Sequence, residues 1–248
     1  MKTVITIACA SLSLVAGCVE SMDEAGLDEV EQATICGPTN DAQHVNSYNG
    51  TLGPSIAFVQ ANKGSKGAME TTVTSGKFCS GSLISVNTFL TAGHCVDSGT
   101  VGEFVSFNFE RAANSTALLT QTHVRITAVL EDERGGVDYA IVQLAGTPGA
   151  TFGVAPVAAG DPAVGAALTI IGHPQGQPKQ IEAGTLSSIS GNFLRYGNID
   201  TLGGNSGSGI LNSSGQIVGV HTLGGCTSTG GFNSGPRISR IRAASNIL

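Results

Sequence analysis

Three short segments of the chain carry side chains suited to nucleophilic catalysis. His94 ends one apolar stretch, Asp138 begins another, and Ser206 lies in a glycine-rich turn. A serine hydroxyl is a poor nucleophile at neutral pH and must lose its proton as it attacks. A histidine can take that proton and return it to a leaving group, while a carboxylate orients the imidazole and stabilises its charged form. These residue types therefore fit the roles of nucleophile, base and orienting acid.

The residues around Ser206 fit the same chemistry. The turn reads Gly203-Gly-Asn-Ser-Gly-Ser208. Glycine has no Cβ, so backbone N–H groups in such a turn can face a developing oxyanion. The chain order is His, Asp, Ser, which differs from the orders used by subtilisins and α/β-hydrolases. The turn is also not a G-x-S-x-G elbow, because Ser208 occupies its last position.

The elements that must position these residues are short and β-like. Glycine supplies 35 of 248 residues without a three-residue period, and only 12% of residues are charged, which excludes collagen, a coiled coil and disorder. Abundant glycine, serine, threonine and valine favour short strands joined by tight turns. Strands are predicted at Ser55–Ala61, Cys79–Val86, Phe89–Thr91, Phe104–Phe109, His123–Leu130, Tyr139–Leu144, Leu168–Ile171, Ile181–Ile189, Gly209–Leu211 and Gln216–His221.

Three other segments are predicted to form a helix, a loop and a link rather than strands. A helix is predicted only at Ser239–Leu248. Lys63–Gly67 is predicted to be an exposed loop. The segment Gly146–Pro156 is rich in residues that break regular structure and is predicted to link two halves.

The motifs Thr91-Ala-Gly-His-Cys95 and Gly204-Asn-Ser-Gly207, in this order, resemble those of chymotrypsin-fold serine proteases of the bacterial, secreted kind. The resemblance covers about residues 55–240. It implies an all-β fold of two six-stranded antiparallel Greek-key barrels, at about 50–145 and 157–240, with the active site in the cleft between them and a short C-terminal helix.

The resemblance also implies a role for each residue. His94 is the general base, Asp138 orients it, and Ser206 attacks the peptide bond. The N–H groups of Gly204 and Ser206 form the oxyanion hole. Val220–Gly224 resembles the strand that pairs with substrate backbone, and the Thr222 hydroxyl is a further candidate to support Asp138.

Two cues to specificity conflict. Asp200 lies six residues before Ser206, where trypsin keeps the carboxylate that binds Lys or Arg. However, residues 200–206 and 219–222 together resemble glutamyl endopeptidases, in which a threonine and a histidine, here Thr201 and His221, contact an acidic side chain. A histidine in the pocket wall favours a carboxylate over an ammonium group. We therefore expect cleavage after Glu or Asp, with Lys or Arg as the alternative and Gly224 also lining the pocket.

Activation is expected to differ from that of trypsin-like zymogens. In those proteins a new N-terminal amine pairs with an aspartate directly before the catalytic serine. Here that residue is Asn205, and no Ile-Val-Gly-Gly start is present.

The cysteines suggest disulfides. Outside the N-terminal Cys9 and Cys18, four remain, and sequence alone permits three pairings. No C-x₂-C pair is present, so zinc is not expected, and no metal or other cofactor is predicted. The protease resemblance implies Cys79–Cys95 as the bond of the histidine loop, which leaves Cys36–Cys226. Lysyl endopeptidases, which the chain resembles from residue 216 to about residue 230, also tie an N-terminal segment to this region.

The N-terminal region is predicted to direct export. Residues 1–18 read as a signal peptide that ends in the lipobox-like Val15-Ala-Gly-Cys18, so Cys18 is a candidate for lipid attachment. Residues 19–35 contain six acids and no base and are predicted to be a tether or propeptide, with processing near residues 31–36. The protease domain then begins at residue 36. Either a lipid-anchored envelope protein or a processed, secreted one is expected.

The net charge of the domain limits the classes of molecule that it is expected to bind. The whole chain has 12 basic and 18 acidic residues, and residues 1–35 contain one of the basic and six of the acidic residues. The remaining domain therefore has 11 basic and 12 acidic residues and a net charge of −1. Such a domain has no basic stripe for nucleic acid. Protein or peptide substrates and a monomeric state are expected. The rivals are a catalytically silent protease-fold binding protein and a surface-anchored structural β protein.

Overall fold

The computed structural model describes residues 35–248. The predicted signal peptide, Cys18 and the acidic segment up to residue 34 lie outside the described residues. The strands are β1 (Gln43–His44), β2 (Lys66–Glu70), β3 (Lys77–Leu83), β4 (Thr88–Thr91), β5 (Phe104–Phe107), β6 (Thr122–Glu133), β7 (Tyr139–Leu144), β8 (Ala167–Gly172), β9 (Gln180–Thr185), β10 (Ser188–Ser190), β11 (Phe193–Tyr196), β12 (Gly209–Leu211), β13 (Ile217–Val220), β14 (Cys226–Thr227), β15 (Gly230–Gly231) and β16 (Asn233–Pro236). The helices are α1 (Ile56–Asn62), α2 (Pro148–Phe152) and α3 (Ile238–Ala244), and single 3₁₀ turns form at Gly93–Cys95 and Pro174–Gly176.

The first half is a closed barrel. Its six antiparallel strands pair in the order β2-β3-β4-β7-β6-β5. The long strand β6 changes register against β7 between Ile126 and Ala128 and again between Val129 and Glu131. Such irregularities bend a strand and increase its twist, which helps a sheet to close on itself.

The second half is built from smaller sheets. Five strands pair in the order β1-β9-β8-β12-β13, and three pair as β10-β11-β16. Single bridges, Gly219 to Arg237 and Leu223 to Ser234, join the two sheets. Together the halves form the two-barrel chymotrypsin fold that was expected from the sequence.

Strands β4 and β7 separate two apolar cores by alternation of their side chains. Phe89 and Val142 point into the first barrel, whereas Leu90, Tyr139 and Ile141 pack into the core of the second half. Successive side chains of a strand face opposite sides, so a strand buried on both faces reads as a continuous apolar run. These strands therefore form the seam between the halves, and His94 and Asp138 lie at one end of it.

Two local predictions were wrong. The predicted strand Ser55–Ala61 is helix α1, because the Ser55 hydroxyl accepts a hydrogen bond from the Phe58 N–H at 3.1 Å and caps the helix. The predicted loop Lys63–Gly67 ends inside β2, where Lys66 is fully buried. A Cβ on Gly67 would lie 2.5 Å from the Val105 side chain, so glycine is needed here for packing rather than for a turn.

The other predicted strands are present, except that the predicted strand Ile181–Ile189 is divided into β9 and β10. The predicted link contains the short helix α2, whose Phe152 ring stacks on Phe107 with centroids 4.6 Å apart. The C-terminal helix is present as α3. Within residues 35–248 no helix is long and apolar enough to cross a bilayer.

Candidate active site

His94 and Asp138 are brought together by neighbouring strands of the first barrel. His94 lies in the 3₁₀ turn after β4, and Asp138 directly precedes β7, with Thr91 of β4 paired to Ala140 of β7. One carboxylate oxygen of Asp138 accepts the His94 backbone N–H at 2.9 Å, and the other lies 2.6 Å from Nδ1. A carboxylate can only accept, so Nδ1 carries the proton and Nε2 keeps its lone pair. The pair thus presents a proton acceptor at a side chain that is 38% exposed.

The turn around Ser206 is fixed by hydrogen bonds to its carbonyl groups. The Gln175 N–H donates to the carbonyl of Gly203 at 2.5 Å, and the Ser208 N–H donates to that of Asn205 at 2.9 Å. In a trans peptide the C=O and the following N–H point in opposite directions. The N–H groups of Gly204 and Ser206 therefore point away from these bonds, and neither donates to another residue of the described chain. Gly204 has φ +89°, a conformation that other residues rarely adopt.

Ser80 of β3 joins the first barrel to this turn. Its backbone N–H donates to the Ser206 carbonyl at 2.8 Å, and its hydroxyl donates to the Gly204 carbonyl at 2.7 Å. The same hydroxyl accepts the N–H of His173 at 2.9 Å. A Cβ on Gly207 would lie 2.1 Å from the Ser80 carbonyl oxygen, so the turn packs tightly against β3.

Ser206 also lies beside the histidine loop. The sulfur of Cys95 is 3.7 Å from the Ser206 carbonyl oxygen. Cys95 is bonded to Cys79, and this disulfide anchors the loop to β3. The structure therefore places the backbone of Ser206 next to the loop that carries His94.

His221 lies in the second half behind this group and is only 3% exposed. Burial and then the nearby His94 lower the pKa of His221, to about 3, although Asp138 acts in the opposite direction. The Tyr196 hydroxyl is 2.6 Å from Nδ1 of His221, and burial raises the pKa of that phenol well above its usual value. The phenol therefore keeps its proton and is able to donate it to Nδ1, an arrangement in which the proton of the neutral imidazole is on Nε2.

The segment after β13 has a free edge. The N–H groups of Thr222 and Leu223 donate to the Ser234 carbonyl. Among the described residues, the carbonyl of Thr222 and the N–H of Gly224 form no hydrogen bond. The Thr222 hydroxyl is buried and has no partner in this part of the chain, so it does not bind Asp138. The expectation that Thr222 supports Asp138 is therefore not met, but the free backbone groups suit pairing with an extended peptide.

Asp200 faces the N-terminal segment. One carboxylate oxygen accepts the Cys36 N–H at 2.6 Å, and the other accepts the Asp41 N–H at 3.2 Å. The disulfide Cys36–Cys226 holds the same segment, so both implied disulfides form. The adjacent Thr201 is buried, and its hydroxyl has no partner within residues 35–248.

A groove of about 420 Å³ opens on the other side of His94. The residues that line it besides the catalytic loop are mostly polar, namely Thr71, Phe78, Asp97, Thr100, Glu103 and Arg134. The groove is formed by the first barrel and does not include the predicted pocket residues of the second half.

Sequence reasoning missed three residues of this site. Ser80, Gln175 and Tyr196 act through contacts with residues distant in the chain, and Ser80 and Gly204 are separated by 124 positions. Of the three, only Ser80 lies within a predicted strand, Cys79–Val86.

Comparison with known proteins agrees with this geometry. Residues 79–220, more than half of the chain, match the family described as "Trypsin-like peptidase domain", and the chain belongs to that family. A solved structure described as a Glu endopeptidase in complex with MPD is 25% identical, with a TM-score of 0.61 over 85% of this chain and 99% of the other. No curated protein sequence matches. The protein is thus a serine endopeptidase of the trypsin-like family, and its substrates are proteins or peptides.

Proposed function

We propose that this endopeptidase cleaves peptide bonds with His94 as general base, Asp138 as its orienting carboxylate and Ser206 as nucleophile. The observation that carries the proposal is the pair of hydrogen bonds from His94 to Asp138. They leave Nε2 as an acceptor on a loop whose Cys95 sulfur is 3.7 Å from the Ser206 carbonyl oxygen, in a turn with two unused N–H groups.

The proposed reaction has two stages. Ser206 Oγ attacks the peptide carbonyl while its proton passes to Nε2 of His94, and the N–H groups of Gly204 and Ser206 bind the oxyanion. The C–N bond breaks as His94 returns the proton to the leaving amine, which gives an acyl-enzyme. Water then attacks the ester by the same proton transfers, and releases the acid and Ser206.

We further propose that the bond cleaved follows Glu or Asp. His221 supports this because the Tyr196 hydroxyl at Nδ1 directs the remaining imidazole N–H, on Nε2, to a ligand. A second free donor is the buried hydroxyl of Thr201. Lys or Arg specificity is less well supported, because both oxygens of Asp200 already accept backbone N–H groups. The Glu endopeptidase among the similar structures points the same way.

Labelling by a fluorophosphonate probe tests the nucleophile. The processed protein should be labelled at Ser206, and Ser206→Ala should lose the label and all measurable peptidase activity. Ser213→Ala is the matched control, because Ser213 is exposed in a turn away from the site and should keep both. Absence of labelling in processed wild-type protein would favour a silent binding protein and contradict the triad.

Cleavage of a peptide library tests the specificity, and Tyr196→Phe tests its proposed basis. Products ending in Glu or Asp are expected. Tyr196→Phe should raise KM for Glu substrates by about 5-fold with little change in kcat, since one buried hydrogen bond is worth about 1 kcal/mol. Tyr139→Phe, which loses a hydroxyl contact to Glu131, is the control and should leave KM unchanged. Products ending only in Lys or Arg would overturn the preference.

We also propose export of the protein, lipid attachment at Cys18 and later processing near residues 31–36. A cut there would leave the protease domain intact, because Cys36 is bonded to Cys226 and its N–H to Asp200. Intact mass and N-terminal sequencing of the native protein test this. A fully active enzyme that still begins at residue 18 would contradict the processing step.

A further inference from the structure

Three carboxylates from distant parts of the chain meet behind the serine turn. Asp41 belongs to the N-terminal segment, Glu182 to β9, and Asp200 to the loop before Ser206. One oxygen from each lies within 4.8 Å of the other two. Their separation in sequence explains why no motif indicated the cluster.

Glu182 is the exceptional member. It is 4% exposed, and neither carboxylate oxygen has a hydrogen-bond donor among the described residues. Asp200 differs, because the N–H groups of Cys36 and Asp41 bind its two oxygens. A buried carboxylate without a donor or counter-charge is costly, so Glu182 indicates a missing positive partner.

The protein supplies no such partner within residues 35–248. No lysine, arginine or histidine there forms an ion pair with any of the three acids. Burial raises the pKa of Glu182 to about 10, with Asp41 and Asp200 contributing in the same direction. Without a cation, the cluster must therefore hold a proton at neutral pH.

We propose that Asp41, Glu182 and Asp200 bind one calcium ion. All three ligands are hard carboxylate oxygens, which calcium prefers, and calcium tolerates irregular geometry. Three oxygens at the full separation of 4.8 Å would each lie about 2.8 Å from a common ion, so a small inward movement of the side chains gives the usual Ca–O distance of about 2.4 Å. A cavity of about 10 Å³, close to one water-sized sphere, lies against Glu182 and Asp200. The exposed Asp41 gives the ion a path from solvent.

A second cluster of candidate ligands, Cys79, His94 and Cys95, does not compete with this assignment. Both of its cysteines are consumed by their disulfide, so neither can act as a thiolate ligand. The calcium site is also separate from the triad. It would tie the N-terminal segment to the loop that leads to Ser206 and thus act on stability rather than on the chemical step.

Calorimetric titration of the processed enzyme with calcium, after treatment with EGTA, tests the proposal. One calcium ion should bind per chain, and at saturation Tm should rise by about 5–10 °C. Magnesium should bind more weakly, because it demands a regular octahedral shell. If the wild-type protein binds no calcium and its Tm does not change, the proposal is wrong and the cluster holds a shared proton instead.

Glu182→Gln separates binding at this cluster from binding elsewhere. The variant should lose the calcium-induced rise in Tm. Without calcium it should be at least as stable as the EGTA-treated wild type, because one uncompensated buried acid is gone. Glu133→Gln is the control and should keep the full rise, because within residues 35–248 the Glu133 carboxylate accepts a hydrogen bond only from the Gly135 N–H. A Glu182→Gln protein that retains the rise would overturn the assignment, whether or not Ser206 proves to be the nucleophile.

Discussion

The two halves of the molecule position their catalytic groups in different ways. In the first half, hydrogen-bonded strands close on themselves, and two neighbouring strands, β4 and β7, place His94 beside Asp138. In the second half, the serine turn and the pocket lie on loops between smaller sheets that single bridges connect. The loops take their shape from bonds to other segments, chiefly from Ser80 and from the N-terminal segment.

This difference has a physical consequence. A pair of residues on adjacent strands is fixed by the sheet itself, and its geometry is lost only when the barrel unfolds. A turn held by a few long-range contacts can be loosened while the rest of the protein stays folded. Changes to the His94–Asp138 pair should therefore affect chemistry without affecting stability, whereas changes to the contacts that hold the serine turn and the pocket should affect both.

Asp138→Asn should produce the largest effect and tests the first half alone. The Asn amide can donate to Nδ1, which favours the imidazole tautomer with its proton on Nε2, where it cannot accept one from Ser206. We expect kcat to fall by about 10⁴-fold, with an unfolding free energy within about 1 kcal/mol of wild type. Steady-state kinetics and urea unfolding measure the two quantities. A loss of less than 10-fold would contradict the role of Asp138.

Removal of each disulfide compares the two halves directly. Cys36–Cys226 closes 190 residues and Cys79–Cys95 closes 16. Loop-closure entropy predicts a loss of about 5 kcal/mol for the first and about 3 kcal/mol for the second when both cysteines become serine. Urea unfolding of the two double variants gives these values. The variant without Cys36–Cys226 should also lose activity at lower urea than it loses strand signal, and coincident transitions would argue against a loosely held pocket.

Lys66→Met tests a buried lysine at the start of strand β2 of the first barrel. Burial and then the nearby Lys179 lower the pKa of Lys66 from 10.5 to about 7, and its ammonium has no partner among residues 35–248. Between these pH values the unfolded chain binds one proton more than the folded one, so wild-type stability rises with pH. Folding below pH 10.5 thus requires Lys66 to lose its proton or to be buried with its charge, which costs free energy. Methionine has no such cost, so the variant should be more stable by about 3 kcal/mol at pH 8, and the gain should shrink towards pH 10.5.

The matched control is Lys179→Met. Lys179 is equally buried but donates to Glu110 and to the Lys63 carbonyl, so its loss should destabilise the protein. Urea unfolding at pH 8 and pH 10 measures both variants. If Lys66→Met were destabilising at pH 8, the Lys66 side chain would have a stabilising polar partner, and the predicted cost of its burial would be wrong.

Ser80→Ala should have the smallest effect and tests the link from the first barrel to the oxyanion turn. The substitution removes two buried hydrogen bonds, one to the Gly204 carbonyl and one from the His173 N–H. Only the first holds the oxyanion turn directly, and at about 1 kcal/mol its loss should lower kcat by about 10-fold or less, with KM little changed. Ser82→Ala is the control on the same strand, because the buried Ser82 hydroxyl has no partner in the described chain. Equal effects of the two substitutions would show that the turn does not depend on Ser80.

The sequence was sufficient for the family, the order of the catalytic residues and most strands, because these depend on local patterns. Local patterns misled where a single contact decided the structure. The side chain of Ser55 caps a helix where the apolar sequence predicted a strand. Lys66 is buried, although lysine is usually exposed at the surface. The placement of Asp200 depends on the N-terminal segment more than 150 positions away, and no pattern near Asp200 indicates it.

The Cys36–Cys226 bond also makes most of the domain a covalent ring. A single backbone cut anywhere between these two cysteines leaves both fragments joined through sulfur. A protease that meets its own copies at high concentration is exposed to such cuts, and its exposed loops are the natural places for them. Nicked enzyme would run as one band on a non-reducing gel and as two bands after reduction. A single autolytic cut within the ring therefore does not separate the fragments.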